Sequence, residues 1–184
     1  MRIIAGKHKG LVLNTFDVDN IRPTTDRVRE NIFNKIQFGI SGSTVLDLFC
    51  GTGAISLEFI SRGAVNVVSV DNNENSIKII KQNFKKAGVI PELNKCDYKT
   101  ALNKYKDTKF DYIFIDPPYH TNFGEESIRI ISDYSMLKRD GVIIYEHLFD
   151  KKFELPDNYE IVDSRKYGTI MVTFIKEKSD VKDD

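Results

Sequence analysis

The stretch Asp116-Pro117-Pro118-Tyr119 follows an apolar run, residues 112–115, in a chain of 184 residues. Two consecutive prolines fix the backbone and remove two N–H donors, leaving carbonyls that point outward. A carboxylate beside them makes a cluster of acceptors only, and Tyr119 sets a flat ring next to it. Acceptors plus a ring suit a planar group with an exocyclic amine, which describes a nucleobase. A purely structural Pro-Pro turn is the alternative.

A second constellation lies upstream, in Asp47-Leu48-Phe49-Cys50-Gly51-Thr52-Gly53. Here a strand pattern runs into a glycine turn that opens a helix. Glycines let a ligand lie against bare backbone, and a helix N-terminus favours carboxylate or phosphate oxygens. The third glycine of a dinucleotide-binding turn is replaced by Ser56, and the GK[ST] of a phosphate loop is absent. Asp47 would repel a pyrophosphate and suits a cationic amine. Asp71 follows Gly53 by 18 residues, the distance at which an acid reaches a ribose diol. Capping the next helix is the alternative role for Asp71; the two can coexist, and ribose binding is the favoured reading. Asp97, after the third strand pattern, is a weaker candidate for an adenine amino group, a purely structural role being nearly as good a reading.

These residues need elements to hold them at one end of a sheet. Strand-like runs cover residues 44–49, 65–71, 92–96, 110–116, 141–146, 159–164 and 169–175, with helical patterns at 54–61, 74–87 and 125–137. Ile77, Ile80 and Phe84 share one face of the second helix. Continuous apolar strands alternating with helices predict an α/β fold with a mostly parallel sheet covered on both faces. The short link between the last two runs predicts antiparallel pairing at an edge. Open sheets of this kind bind ligands beyond the carboxyl ends of their strands, where the unusual residues fall.

Residues 1–16 read as a small hairpin around Gly6-Lys7-His8-Lys9-Gly10. Thr24-Thr25-Asp26 supply candidate caps for a helix whose stripe is Val28, Ile32, Phe33 and Ile36. We therefore divide the chain into an N-terminal hairpin and helix, residues 1–40, and a main unit, residues 41–184, within one compact body. A charged tail from Lys176 to Asp184 is expected to fray.

Composition narrows the class. No apolar run reaches the ~18 residues of a membrane span, and the first residues carry no signal peptide. The two cysteines, Cys50 and Cys96, form no disulfide framework and no CxxC, which implies a reducing, cytoplasmic setting and no zinc site. The 27 basic and 27 acidic residues cancel. Up to Gln37, however, seven cations (Arg2, Lys7, Lys9, Arg22, Arg27, Arg29, Lys35) face four acids, a net of +3 that could meet phosphate. His8, His120 and His147 read as structural.

The glycine loop, Asp71 and DPPY together resemble S-adenosylmethionine-dependent methyltransferases of exocyclic amino groups of bases. Met1-Arg2-Ile3-Ile4-Ala5-Gly6-Lys7 and Arg22-Pro23-Thr24-Thr25-Asp26-Arg27-Val28-Arg29-Glu30 narrow the resemblance, as do Ser61-Arg62-Gly63-Ala64 and Tyr167-Gly168. They are similar to the bacterial 16S rRNA (guanine(966)-N2)-methyltransferase family over practically the whole chain, Met1 to about Lys176. DPPY is shared with other amino-methylating enzymes, whereas RPTTDR is the specific part. Two departures are mild: Asp71 where the family more often has Glu, and Cys50 where it usually has Ala or Ser.

The resemblance implies a Rossmann-like class I methyltransferase fold of seven strands, mostly parallel, with an antiparallel edge strand. It implies S-adenosylmethionine as cofactor, held by Asp47, Phe49, Gly51, Gly53, Asp71, Asn72 and Asp97. Asp116, Pro117, Pro118 and Tyr119 are the expected catalytic residues. Arg2, Lys7, Lys9, Arg22, Thr24, Arg27 and Arg29 are the expected RNA contacts. The implied partner is 16S rRNA within the small ribosomal subunit or a late precursor, with no membrane, no metal and a monomeric enzyme. Competing classes fit less well. A DNA adenine-N6 or cytosine-N4 methyltransferase would need a target-recognition domain, and a protein glutamine methyltransferase usually has Asn in place of Asp116. An NAD-dependent oxidoreductase leaves DPPY unexplained, and a non-catalytic RNA-binding module leaves both motifs unexplained.

Overall fold

A computed structural model of the chain describes residues 1–16, 26–90 and 92–179. Helix α1 (Asp26–Ile36) is followed by one 3-10 turn, Gln37–Gly39. Strands and helices then alternate: β1 (Thr44–Asp47), α2 (Ala54–Ser61), β2 (Asn66–Asp71), α3 (Glu74–Ala87), β3 (Glu92–Lys95), α4 (Tyr98–Lys104), β4 (Phe110–Ile115) and α5 (Phe123–Asp133). β5 (Leu137–Leu148), β6 (Tyr159–Tyr167) and β7 (Ile170–Glu177) complete the chain.

The seven strands form one sheet in the order β3-β2-β1-β4-β5-β7-β6. Strands β3 to β5 are parallel throughout. β7 is antiparallel to both β5 and β6, so the antiparallel part is a hairpin whose outer strand is β6. The chain moves outward from β1 to β3 and then returns to place β4 on the other side of β1. That reversal opens a crevice between the carboxyl ends of β1 and β4, where helices depart to opposite faces.

Period-2 alternation explains why both faces are covered. Leu46, Val68, Ile113, Ile115, Ile143 and Tyr145 pack with Tyr98, Ala101 and Leu102 of α4 and Ile128 and Ile131 of α5. Their neighbours Val45, Val67, Tyr112, Phe114, Val142 and Ile144 point the other way, onto α1 and onto Ile55 and Phe59 of α2. α3 lies beside α2 and buries Ile80 and Phe84 against Ile3 and Leu13 of the N-terminal segment.

The N-terminal hairpin is minimal, with a single antiparallel bridge between Arg2 and Val12. It is fastened to α2: the amides of Ile4 and Ala5 donate to the buried Glu58 carboxylate at 2.8 and 3.1 Å. The Lys7 amide donates to the Ser61 carbonyl at 2.8 Å.

Four elements depart from expectation. α4 was not expected; it has only seven residues and buries three, too few to show a period. α5 ends at Asp133, because Ser135 turns into the left-handed region (φ 48°) and closes it. β5 begins at Leu137, behind the polar Lys138-Arg139-Asp140 that read as loop, and a register shift between Phe110 and Tyr112 absorbs that stretch. β7 runs to Glu177, so the charged tail starts later than expected, and residues 180–184 lie outside the described residues. No described helix is long and apolar enough to cross a membrane.

Candidate active site

Asp47 ends β1 and is 1% exposed. Its Oδ2 accepts from the Ser56 amide at 3.1 Å and from the Ser56 hydroxyl at 2.6 Å. Ser69 on β2 donates in turn to Ser56 Oγ at 2.8 Å. Ser56, which occupies the third glycine position, therefore orients the acid instead of admitting a pyrophosphate. Asp47 Oδ1 is buried with no hydrogen-bond partner among the described residues. Burial pushes this carboxyl up to about 7, against the pull of the Ser56 bonds. A buried, half-satisfied carboxylate is a costly arrangement unless a donor or cation completes it.

The turn after β1 is shaped by two glycines with different reasons to be glycine. Gly53 (φ 78°) lies against α3, where an added Cβ would stand 2.5 Å from Ile80 Cγ1. Gly51 (φ 52°) faces open space, with nothing within 4 Å of an added Cβ. Gly51 thus leaves bare backbone facing open space, and Gly53 supplies close packing behind it. Asp71, at the end of β2, braces the turn: Oδ2 accepts from the Gly51 amide at 2.9 Å and Oδ1 from the Asn73 amide at 2.8 Å. The cap of α3 is Asn73, whose side chain accepts from Asn75 and Ser76. Asn72 is exposed beside it, and the half-buried Phe49 ring packs 5.7 Å from Tyr98. Asp97 caps α4, its Oδ1 accepting from the Lys99 and Thr100 amides and its Oδ2 from the Thr100 hydroxyl.

DPPY begins where β4 ends, across the crevice from this turn. Ile115 pairs with Tyr145, which brings Asp116 alongside Glu146 of β5. Asp116 is held well above the usual carboxylate range by burial first, then by the charges of Glu146 and Asp47. Pro117 is buried and Pro118 exposed. The Pro118 carbonyl does not face outward as expected; it accepts from the Thr121 amide at 3.1 Å and the Thr121 hydroxyl at 2.7 Å. The Pro117 carbonyl accepts no hydrogen bond from the described residues. The Tyr119 hydroxyl donates to Glu146 Oε1 at 2.8 Å. Burial raises that phenol further from ionisation, and the two carboxylates add to it.

Two contributors were not foreseen. Glu146 is fully buried and both raises Asp116 and anchors Tyr119; its signal was an acid closing an otherwise apolar strand. Lys151 donates to the Thr121 carbonyl at 2.5 Å and pairs with Glu125 at 2.9 Å, tying down the loop after DPPY. His147 has the structural role expected of it, bonded to Thr173 Oγ1 at 2.9 Å.

The N-terminal cations separate into distinct groups. Arg2, Lys7, Lys9 and Arg27 are exposed. Arg22 and Thr24 lie outside the described residues. Arg29 corrects the expectation of a direct RNA contact: it is 1% exposed, and its guanidinium donates to the Arg2 carbonyl at 2.6 Å and to Asp26 at 2.7 Å. α1 turns residue 29 inward with Val28, Ile32 and Phe33, so this cation fastens the N-terminal segment to α1.

The family model described as conserved hypothetical protein 95 matches residues 1–176. YlbH of Bacillus subtilis is 36% identical over 97% of this chain and 100% of its own length. The ribosomal RNA small subunit methyltransferase D of Haemophilus influenzae is 30% identical over 92% of this chain and 90% of its own. Among solved structures, yhhF of Escherichia coli superposes with a TM-score of 0.86 at 27% identity, covering 97% of this chain and 98% of its own. Because the match runs from the N-terminal hairpin through DPPY into β7, the chain belongs to the conserved hypothetical protein 95 family, that of the bacterial small-subunit rRNA methyltransferases D.

Proposed function

We propose that this methyltransferase transfers a methyl group from S-adenosylmethionine to the exocyclic N2 amine of a guanine in 16S rRNA. The position is the one named by the resemblance, guanine 966, and the substrate is the small subunit or a late precursor. The observation that carries the reading is the juxtaposition at the sheet's switch point. An open glycine cradle and an unsatisfied buried carboxylate stand on β1, with an acceptor-only DPPY turn on the adjacent β4. The names of the relatives point to small-subunit rRNA as the class of substrate.

The residues present fit the cofactor. Asp47 Oδ1 lacks a partner and suits its ammonium group; Gly51 leaves space for it. We assign the ribose diol to Asp71 and Asn72 at the end of β2, and Asp97 Oδ2 takes only one bond in the cap of α4. When bound, the cofactor supplies an electrophilic methyl group.

The remaining steps belong to this chain. The guanine must leave its stack to enter, as bases do for enzymes that modify them. Tyr119 offers a ring to stack against, held in place by Glu146. Asp116 and the Pro117 carbonyl accept from the two N–H groups of the amine and favour a pyramidal nitrogen with its lone pair free. Those bonds strengthen as the nitrogen gains positive charge, which is differential binding of the transition state. One N–H proton must depart as the nitrogen lone pair becomes the N–C bond. Asp116, whose proton affinity is raised by burial and by Glu146, is placed to receive it.

The reading is tested by methyl transfer from labelled S-adenosylmethionine to small subunits from a strain lacking this enzyme, beside protein-free 16S RNA and duplex DNA. N2-methylguanine at one site in the subunits is the expected product. Label in DNA alone would reassign the substrate, and no transfer to any of them would overturn the reading.

A further inference from the structure

The face of α3 turned to solvent carries Lys78, Lys81, Gln82, Lys85 and Lys86, all exposed. At 100° per residue Lys78, Lys81 and Lys85 fall within one 60° arc, a stripe along the helix. Its acid, Glu74, is at the first turn and is paired with Lys95. Lys86 is held by Asn14 and the Val12 carbonyl. Lys78, Lys81 and Lys85 make no hydrogen bond or ion pair with any described residue. In a chain whose formal charges cancel, this is a local concentration of cations, opposed on the helix by Glu74 alone, whose charge acts on Lys95 first and then on Lys78 and Lys81.

Beside the stripe runs a groove of about 720 Å³ between α3 and the N-terminal segment. Its walls are Asn14, Thr15 and Phe16 on one side and Asn75, Lys78 and Gln82 on the other. An aromatic ring, amide donors and acceptors, and a lysine are what an unstacked base and its phosphate require. The groove reaches the first turn of α3 at Asn75, four residues after Asp71, the acid that braces Gly51.

We infer that the outer face of α3 and this groove form a single-stranded RNA track that holds nucleotides flanking the target base. The inference rests on the proposed reading and extends it, since the expected RNA contacts all lay before α1 ends and one of them, Arg29, is buried. Lys78, Lys81 and Lys85 neutralise successive phosphates, and the groove beside Phe16 takes a base.

The test is the salt dependence of binding to protein-free 16S RNA, with methyl transfer to subunits measured in parallel. Lys78→Gln/Lys81→Gln/Lys85→Gln is compared with a control of equal charge change, Lys106→Gln/Lys152→Gln/Lys178→Gln, whose lysines are exposed elsewhere. The log–log salt slope of the α3 variant should fall by about 2, at about 0.7 per phosphate contact, while its S-adenosylmethionine affinity stays at the wild-type value. Phe16→Ala should weaken binding ~5- to 100-fold with the slope unchanged, as loss of base stacking does. An unchanged slope in the α3 variant, or an equal fall in the control, overturns the inference. So does an equal loss of binding to polyglutamate, which would mark a generic anion surface. The slope is read from binding alone, so wild-type protein that binds RNA without methylating it would sink the proposed reaction and still decide the track.

Discussion

The Tyr119 hydroxyl donates to Glu146 Oε1 at 2.8 Å, joining the DPPY turn after β4 to the end of β5. The same buried carboxylate raises Asp116. One side chain therefore fixes the Tyr119 ring and tunes the carboxyl of Asp116 beside it. Replacing Glu146 with Gln keeps an acceptor for Tyr119 and removes the charge. With that negative neighbour gone, Asp116 ionises at lower pH, so the acid limb of the pH–rate profile should move to lower pH. An unmoved profile would show that Glu146 acts on Tyr119 alone.

In the proposed reaction Asp116 must be ionised to receive the departing N–H proton, and its proton affinity is raised in this structure. Activity should therefore rise with pH as Asp116 loses its proton. Asp116→Ala should retain cofactor affinity and lose turnover by ~10²-fold or more, the scale of a deleted transition-state hydrogen bond. Single-turnover methyl transfer beside a cofactor titration separates the two effects. Wild-type turnover in this variant would remove Asp116 from the chemistry.

The limits of α2 and α3 could be read from the sequence because their ends are chemically marked. α3 opens on Asn73 and closes on Gly88 at φ 65°, with Ile77, Ile80 and Phe84 as an unambiguous stripe. The α4 helix carried no comparable stripe, and the start of β5 hid behind three polar residues. In the site, Asp47, Gly51, Asp71 and Asp116 announced themselves by type and position. Arg29 and Glu146 did not. A charge in a sequence carries no direction, and only the packing of α1 shows that Arg29 points inward while its neighbour Arg27 stays in water. Glu146 took on its role through a cross-strand register that no local pattern encodes.

Asp47 also makes stability depend on pH with a definite sign. Its carboxyl is raised from 3.8 to about 7 on folding, so the native state holds a proton that the unfolded chain has released. Its contribution is fully present below pH 3.8 and is lost as pH rises toward about 7, by at most ~1.4 kcal/mol per pH unit. Asp47→Asn should flatten this part of the Tm–pH curve and weaken S-adenosylmethionine binding. Parallel wild-type and variant curves between those limits would refute the assignment.

Arg29 and Arg27 make a matched pair for separating structure from contact. Arg29→Ala removes a buried guanidinium bonded to Asp26 and the Arg2 carbonyl. It should cost about 2–3 kcal/mol, or ~5–10 °C in Tm. Arg27→Ala, on the exposed side of the same helix, should leave stability within ~0.5 kcal/mol. If it meets phosphate, the salt slope of RNA binding falls by about 0.7. The opposite pattern would restore Arg29 to the RNA surface.

Gly51 and Gly53 should fail differently when given a methyl group. Both have positive φ, so alanine pays ~1–2 kcal/mol of backbone strain at either position. At Gly53 the new Cβ also collides with Ile80, 2.5 Å away, and with Phe84 at 3.0 Å. That clash forces α3 back from the turn, so Gly53→Ala should lower Tm more than strain alone. At Gly51 nothing among the described residues opposes the methyl group, and stability should fall only by the strain. The methyl group instead enters the space left for the ligand, so Gly51→Ala should lose cofactor affinity out of proportion to its Tm. Equal losses of affinity and Tm in the two variants would mean that the cofactor does not lie over Gly51.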